Sequence, residues 1–349
     1  MFLVFFRSIL GMESYMFKIG VIGTADIAKR KMIPAMMKAS GVEYAGVAIA
    51  AREEWEQEYF EKDYAELYAK KQIKGQEFVN LFGGKLYESY RSLILDESVD
   101  AVYIPLPPAL HYRWAKEALE HHKHVLCEKP MTTNAEDTRE LIGMAKQQNL
   151  VLWENYAFLF HSQFQAIREM VEQKQVGDVR LISACFGFPF RGAGDFRYDA
   201  KMGGGALLDC GGYTIKAATE LMGNEVEVKA SSLTASEKFG VDICGNITLQ
   251  DENGRVAQLA FGMDNAYRCR LSVWGQKGEI MANRIFTAPE EYEAQVTVSG
   301  EFAAEKKFAD NQFYHSLQRF VDCARNGVPE THYRKLLQQA ELIDKVRQG

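Results

Sequence analysis

Between Phe17 and Asn155 short apolar runs alternate with amphipathic segments, and this alternation limits the fold more than any other feature. "FKIGVIG" predicts a buried strand and "AKRKMIPAMMKA" a helix. "VEYAGVAIA" predicts a second strand, followed by the charged helix "REEWEQEYFEKDYAELYAKK". "VDAVYIPL" and "KHVLCE" read as strands on either side of the helix "LHYRWAKEALEHH". The helix "NAEDTRELIGMAKQQN", N-capped by Asn134, leads into the strand "LVLWEN". Strands that are apolar on both faces and separated by helices imply a parallel sheet covered on both sides.

After about residue 156 the texture changes. The helix "SQFQAIREMVEQK" precedes the strand "DVRLISACFGF". The alternating strands "EVEVKASSLTAS", "DICGNITLQD", "RVAQLAFGM", "RCRLSVWG" and "AQVTVSG" then follow without intervening helices. Two amphipathic helices, "QFYHSLQRFVDCARNG" and "YRKLLQQAELIDKV", close the chain. The expected fold is α/β: an N-terminal doubly wound parallel sheet of Rossmann type, then an α+β domain with a large, mostly antiparallel open sheet. The expected division is an appendage over residues 1–16, a first domain over 17–156 and a second over 157–349.

A net charge of −6 without any basic tract gives no reason to expect nucleic acid or an anionic membrane as partner. The six cysteines are scattered and form no C-x-x-C, as expected of a reduced, cytoplasmic protein. "HHKHVLCE" gathers His121, His122, His124 and Cys127, but a helix end running into a buried strand accounts for it, so no metal is expected. "MFLVFFRSIL" lacks a leading positive charge and a small-residue cleavage site, so a signal peptide is not expected.

"GVIGTADIA" joins the first strand to the first helix. Its Gly23, Ala25 and Ala28 match a dinucleotide fingerprint in which alanine replaces two of three glycines. A helix N-terminus there aims unpaired N–H groups at a pyrophosphate, although Asp26 lies close to the anion's path. The alternative is an ordinary strand–helix turn. The second strand ends in "AIAARE", where Arg52 suits the 2′-phosphate of NADP(H). Glu53 leaves NAD(H) open, and a solvated arginine is the plain alternative.

"HVLCEKP" sets Glu128, Lys129 and Pro130 at the carboxyl end of a buried strand, the edge where open α/β sheets bind ligands. A capping turn with a surface ion pair is the plain alternative. "KMGGGALLDCGGY" places Asp209 and Tyr213 four residues apart, on one face of a helix, behind Gly203, Gly204 and Gly205. The glycines are expected to let the backbone approach a ligand.

"GVIGTADIA", "PLPPALH…HHKHVLCEKP", "ENYAFLFHSQFQAIREMV" and "GGGALLDCGGY" together resemble the Gfo/Idh/MocA oxidoreductase family, over nearly the whole chain from Phe17. Within it, "GTADIA", "GDFRYD" and the tyrosine in D-x-x-x-[HY] are most similar to nucleotide-sugar 3-ketoreductases, which use NADPH. The resemblance implies catalytic roles for Lys129, Tyr213 and Asp209, and substrate contacts from Arg197, Asp209 and Tyr213. It implies cofactor contacts from Gly23, Thr24, Ala25, Asp26, Ile27, Arg30, Arg52, Leu106, His111, Glu128, Lys129 and Pro130.

Three positions depart from the family pattern: Pro108 where asparagine is common, a long segment over 59–86, and Gly212 at the helix start. The expected chemistry is hydride transfer to a sugar ketone, with Tyr213 as proton donor and the Lys129 ammonium lowering its pKa, orienting the carbonyl or donating the proton in its place. The rivals are a dehydrogenase of a free sugar, an inositol or a trans-diol, and a non-catalytic cofactor-binding regulator. A homodimer or homotetramer through the second domain's sheet is expected.

Overall fold

The structure, a computed structural model, describes residues 15–55, 64–223 and 225–349. Residues 1–14 of the expected appendage and residues 56–63 of the charged helix and long segment lie outside the described residues. The chain forms two compact units, residues 1–101 and 102–349. Strands β1 (Phe17–Ile22), β2 (Val42–Ala48), β3 (Lys85–Tyr87), β4 (Ala101–Ile104), β5 (His124–Cys127) and β6 (Leu152–Glu154) follow the Rossmann order β3-β2-β1-β4-β5-β6.

In the first unit β2 pairs in parallel with β1 and β3. Ile19, Val21 and Ile22 of β1 are completely buried, as an apolar run in a two-sided sheet requires. Helices α1 (Ile33–Lys38), α2 (Tyr64–Phe82) and α3 (Tyr90–Ile94) accompany these strands. Phe78 of α2 is fully buried and meets Phe82 edge-on, and Phe82 meets Tyr44 of β2 in the same way. The long segment therefore contributes core as well as surface. Just past β2, the buried Glu54 accepts the amides of Ala51, Tyr90 and Arg91, which ties this corner to the start of α3.

The second unit contains α4 (His111–Glu120), α5 (Ala135–Gln148), α6 (Ser162–Glu172), α7 (Gly212–Met222), α8 (Gln312–Asn326) and α9 (Glu330–Gln348). Helix α9 packs on α5, and Tyr333 of α9 donates to the carbonyl of Leu150 beside β6. Such contacts tie the later parallel strands to the chain's end. The division at residue 101 consequently falls well before the 156/157 boundary expected from sequence texture.

The second sheet has eight strands: β7 (Val179–Gly187), β8 (Val226–Ala235), β9 (Asp242–Asp251), β10 (Val256–Gly262), β11 (Arg268–Gly275), β12 (Gly278–Asn283), β13 (Ala294–Gly300) and β14 (Ala304–Phe308). Their order is β14-β13-β12-β11-β7-β10-β9-β8, antiparallel apart from the β7–β10 pair. One face buries Ile182, Leu259, Phe261, Leu271, Val273 and Ile280. On the other, Arg268, Arg270, Trp274 and Met281 alternate outward and are exposed. Among the described residues no helix is long and apolar enough to cross a membrane.

Candidate active site

Lys129 leaves β5 directly after Glu128, and the Lys129–Pro130 peptide is cis. The neighbouring Glu128 carboxyl is buried, and its Oε1 accepts from the Tyr103 hydroxyl and from Asn155 Nδ2, each at 2.7 Å. Burial raises its pKa; the hydrogen bonds and the Lys129 charge only partly oppose that rise. Glu128 thus braces the strand end with its own carboxylate committed to protein partners.

His111 is equally committed. It is fully buried, with Nδ1 2.7 Å from the Pro130 carbonyl and Nε2 2.7 Å from the Leu106 carbonyl. Burial pushes its pKa down to about 4, against the two carbonyls, which favour the protonated ring. His111 ties the 106–111 backbone to the 128–130 backbone through the Leu106 and Pro130 carbonyls, and Glu128 joins Tyr103 to Asn155.

The chain before α7 supplies the second half of the cluster. Residues Leu207–Gly211 form a π-helical turn that runs into α7, a distortion frequent at functional sites. Asp209 sits in that turn and Tyr213 in the first turn of α7. Both meet one ammonium group. Lys129 Nζ donates to Asp209 Oδ1 at 2.6 Å and to the Asp209 carbonyl at 3.0 Å, and lies 4.8 Å from the centre of the Tyr213 ring. The Lys129 and Asp209 side chains are only 10% and 13% exposed, so the pair is poorly screened by water.

Arg197 completes the group. Its Nε donates to Asp209 Oδ2 at 2.6 Å, and its Nη1 reaches both oxygens of Asp195 at 3.1 and 3.3 Å. Burial by itself would raise the Asp209 pKa, but the Lys129 and Arg197 charges outweigh it and hold the carboxyl well below its usual range.

Tyr213 behaves differently from the sequence expectation. Its ring is enclosed by Tyr156, Phe158, Phe186 and Phe286, with centroids 5.2–5.8 Å away. Burial pushes the phenol well above its ordinary pKa; the Glu128 and Asp209 carboxylates push it further, and only Arg197 pulls it back. Lys129, 4.8 Å from the ring centre, forms its ion pair with Asp209. The Tyr213 hydroxyl has no hydrogen-bond partner among the described residues.

Gly204 and Gly205 also approach other parts of the protein closely. A Cβ on Gly204 would come within 2.5 Å of the Arg197 carbonyl and 2.7 Å of that of Asp199. Gly205, at φ 120°, faces the Asp242 carboxylate, which accepts the Leu207 amide at 2.6 Å. Gly212, which departs from the family pattern, leaves room for the Tyr156 hydroxyl and gives its carbonyl to Gln339 at 2.8 Å.

In the first unit, Gly23 takes φ 87°, a conformation that side chains resist. The Thr24 and Ala25 amides that follow find no acceptor among the described residues, while the Ala25 carbonyl receives the amides of Ala28 and Lys29. Two free N–H groups opening a helix fit a bound pyrophosphate. Asp26 Oδ1 lies 3.6 Å from Lys74 Nζ of α2, which offsets the acidic charge beside that anion's path. Ile27 is half-buried; Arg30 and Arg52 are exposed. The His121–Cys127 stretch holds a buried Cys127, and His124 Nδ1 accepts the Val151 amide at 3.0 Å. No cluster of three metal-ligating side chains occurs among the described residues.

Asn155, Tyr103 and Asp195 were not anticipated from sequence as members of this network. "ENYAF" and "GDFRYD" mark two of these segments, but no local pattern announces that Asn155 and Asp195 face Glu128 and Arg197.

Comparison with known proteins agrees with this architecture. Residues 17–156 match the oxidoreductase family with an NAD-binding Rossmann fold, Gfo/Idh/MocA, and residues 164–281 match the C-terminal domain of that family. The chain is 34% identical over 341 residues to a dTDP-3,4-didehydro-2,6-dideoxy-alpha-D-glucose 3-reductase of Saccharopolyspora spinosa, covering 95% of this chain and 97% of that protein. It is 29% identical to a D-xylose 1-dehydrogenase (NADP(+)) of Haloferax volcanii, covering 94% of this chain and 95% of the relative. Among solved structures, a 3-ketoreductase from Actinomadura kijaniata in complex with NADP and TDP-benzene superposes with a TM-score of 0.86 at 34% identity, over 96% of this chain and 98% of that one. The chain belongs to the Gfo/Idh/MocA family of oxidoreductases.

Proposed function

We propose that this protein is an NADPH-dependent reductase of a 3-keto group on a dTDP-linked deoxysugar. The observation that carries the reading is the Lys129–Asp209 pair beside the unpartnered Tyr213 hydroxyl. NADPH, when bound, supplies the hydride. The chain's own part is to orient the carbonyl, stabilise the oxygen as it gains charge, and deliver a proton.

Lys129 presents its ammonium to the developing oxyanion. Tyr213 keeps its proton throughout the neutral range, because the phenol is pushed above its ordinary pKa. Its O–H bond breaks only as the substrate oxygen becomes basic; the proton passes to that oxygen and solvent later restores it. Thr24 and Ala25 would hold the pyrophosphate through their backbone N–H groups at the turn that Gly23 sets, and Arg52 would take the 2′-phosphate of NADPH. Residues 17–156 serve the cofactor and 157–349 the substrate.

The test is isotopic. With NADPH deuterated at the transferable position, a dTDP-3-keto-6-deoxysugar acquires one deuterium on C3, read by mass spectrometry. Reduction of NADP+ by xylose or an inositol instead, with the nucleotide sugar inert, would favour the free-sugar dehydrogenase.

We also propose that the outward face of the eight-stranded sheet, where Trp274 is 58% and Met281 47% exposed, is covered by a second copy in a cytoplasmic homo-oligomer. Light scattering is expected to give a dimer or tetramer and Trp274→Glu a smaller species; a monomeric wild-type protein would refute it.

A further inference from the structure

We infer that Arg197 is a positioning residue for the reduction proposed above: clamped between Asp195 and Asp209, it fixes the carboxylate that holds the Lys129 ammonium. Four alternating charges run in sequence, Lys129, Asp209, Arg197 and Asp195. Each Asp209 oxygen has its own cation, Oδ1 with Lys129 at 2.6 Å and Oδ2 with Arg197 at 2.6 Å, so the carboxylate has no freedom to rotate. The guanidinium is fixed as well, packed 4.6 Å from the Phe196 ring and 5.9 Å from that of Phe188.

The backbone repeats the connection. Asp195 Oδ1 accepts the Arg197 amide at 3.0 Å, the Arg197 carbonyl accepts the Gly205 amide at 2.9 Å, and the Gly205 carbonyl accepts that of Asp209 at 3.1 Å. The glycine run therefore docks the "GDFRYD" segment onto the π-turn that carries Asp209. The family resemblance implies a substrate contact for Arg197, yet its Nε and Nη1 are occupied by carboxylates. Its charge is largely neutralised by two acids, which makes it a poor anion contact and a firm brace.

The groups that act on Asp209 or feel its charge are Lys129, Arg197, Tyr213, Tyr156 and Cys210, with Asp195 behind Arg197. Losing Arg197 removes one of the two cations that oppose the effect of burial. The Asp209 carboxyl then titrates at higher pH, and Lys129 loses its fixed partner geometry.

The experiment compares Arg197→Ala, Arg197→Lys and Asp195→Asn with wild type, using protein carrying carbon-13 in its aspartate carboxyls, with Asp209→Asn to assign the signal. In Arg197→Ala the Asp209 midpoint is expected to rise by about one pH unit or more, as the loss of an adjacent opposite charge implies. Arg197→Lys restores part of the shift, whereas Asp195→Asn removes a like charge behind Arg197 and moves the signal slightly the other way. Calorimetry with TDP is expected to give wild-type affinity within about threefold, while kcat falls about 10²-fold with KM little changed, as misplacement of a reacting group does.

An unmoved Asp209 midpoint with TDP affinity reduced about tenfold or more would overturn the inference and make Arg197 a diphosphate contact. If wild type fails to reduce any 3-keto nucleotide sugar, the proposed function falls, and the carboxyl titration still decides the role of Arg197. If Arg197→Ala does not fold, Arg197→Lys gives the same reading at smaller amplitude.

Discussion

The turn at Gly23 and the cluster around Lys129 meet charge in opposite ways. The turn offers main-chain N–H groups that have no acceptor among the described residues, set by one left-handed glycine. The cluster pairs each of its charges with an opposite one and leaves only the Tyr213 hydroxyl without a partner. A backbone device tolerates side-chain exchange provided the backbone keeps its shape, which is why alanine is accepted at positions 25 and 28. A side-chain device depends on the identity of every member, because each buried charge is stable only through its partner.

That contrast can be broken at either end, and the larger effect belongs to the cluster. Asp209→Asn leaves the Lys129 and Arg197 cations without their shared carboxylate and is expected to cost about 3 kcal/mol of stability at pH 7. The folded-state pKa of Asp209 is depressed, so its contribution is fully present above the unfolded value of about 4 and fades as pH falls further. Urea denaturation of both proteins at neutral and acidic pH is expected to show the gap closing only below about pH 4. A gap that closes between pH 7 and 5 would mean that Asp209 is not held ionised by its neighbours.

At the turn the effect is smaller and of another kind. Gly23→Ala forces a Cβ into a left-handed conformation, a strain of about 1–2 kcal/mol. It is expected to weaken NADPH binding, measured by fluorescence quenching, roughly 5- to 30-fold while the Asp209 carboxyl titration stays as in wild type. Equal NADPH affinity in the variant would remove the turn from the cofactor's path. A changed titration would mean that the two devices are coupled.

Much of the architecture was legible because it rests on burial. Runs such as "FKIGVIG" and "KHVLCE" are apolar on both faces, and only a covered parallel sheet accommodates that. The weaker elements escaped for physical reasons. In β14 four of five residues are exposed, so the strand lacks the apolar half that marks its neighbours, and the short β12 carries only Ile280 and Ala282 inward. The parallel β7–β10 pair is set by the order in which strands join the sheet, which local pattern does not encode.

In the site, the motifs pointed to Lys129, Asp209 and Tyr213, and these three side chains lie together. Their partners were hidden. Glu128 is claimed by Tyr103 and Asn155, and Arg197 by Asp195, all through contacts that periodicity does not report. The same enclosure reversed the expected effect on Tyr213: four aromatic rings and two carboxylates dominate where a neighbouring ammonium was expected to.

The most direct test of the account is a double-mutant cycle on single-turnover reduction of a dTDP-3-keto-6-deoxysugar, with Lys129→Ala, Tyr213→Phe and the double variant, each saturated with NADPH. Each single variant is expected to slow hydride transfer about 10²-fold or more, and the double variant to lose far less than the product of the two, because the groups act as a unit. Hydride transfer at the wild-type rate in either single variant, with NADPH bound, would contradict the account.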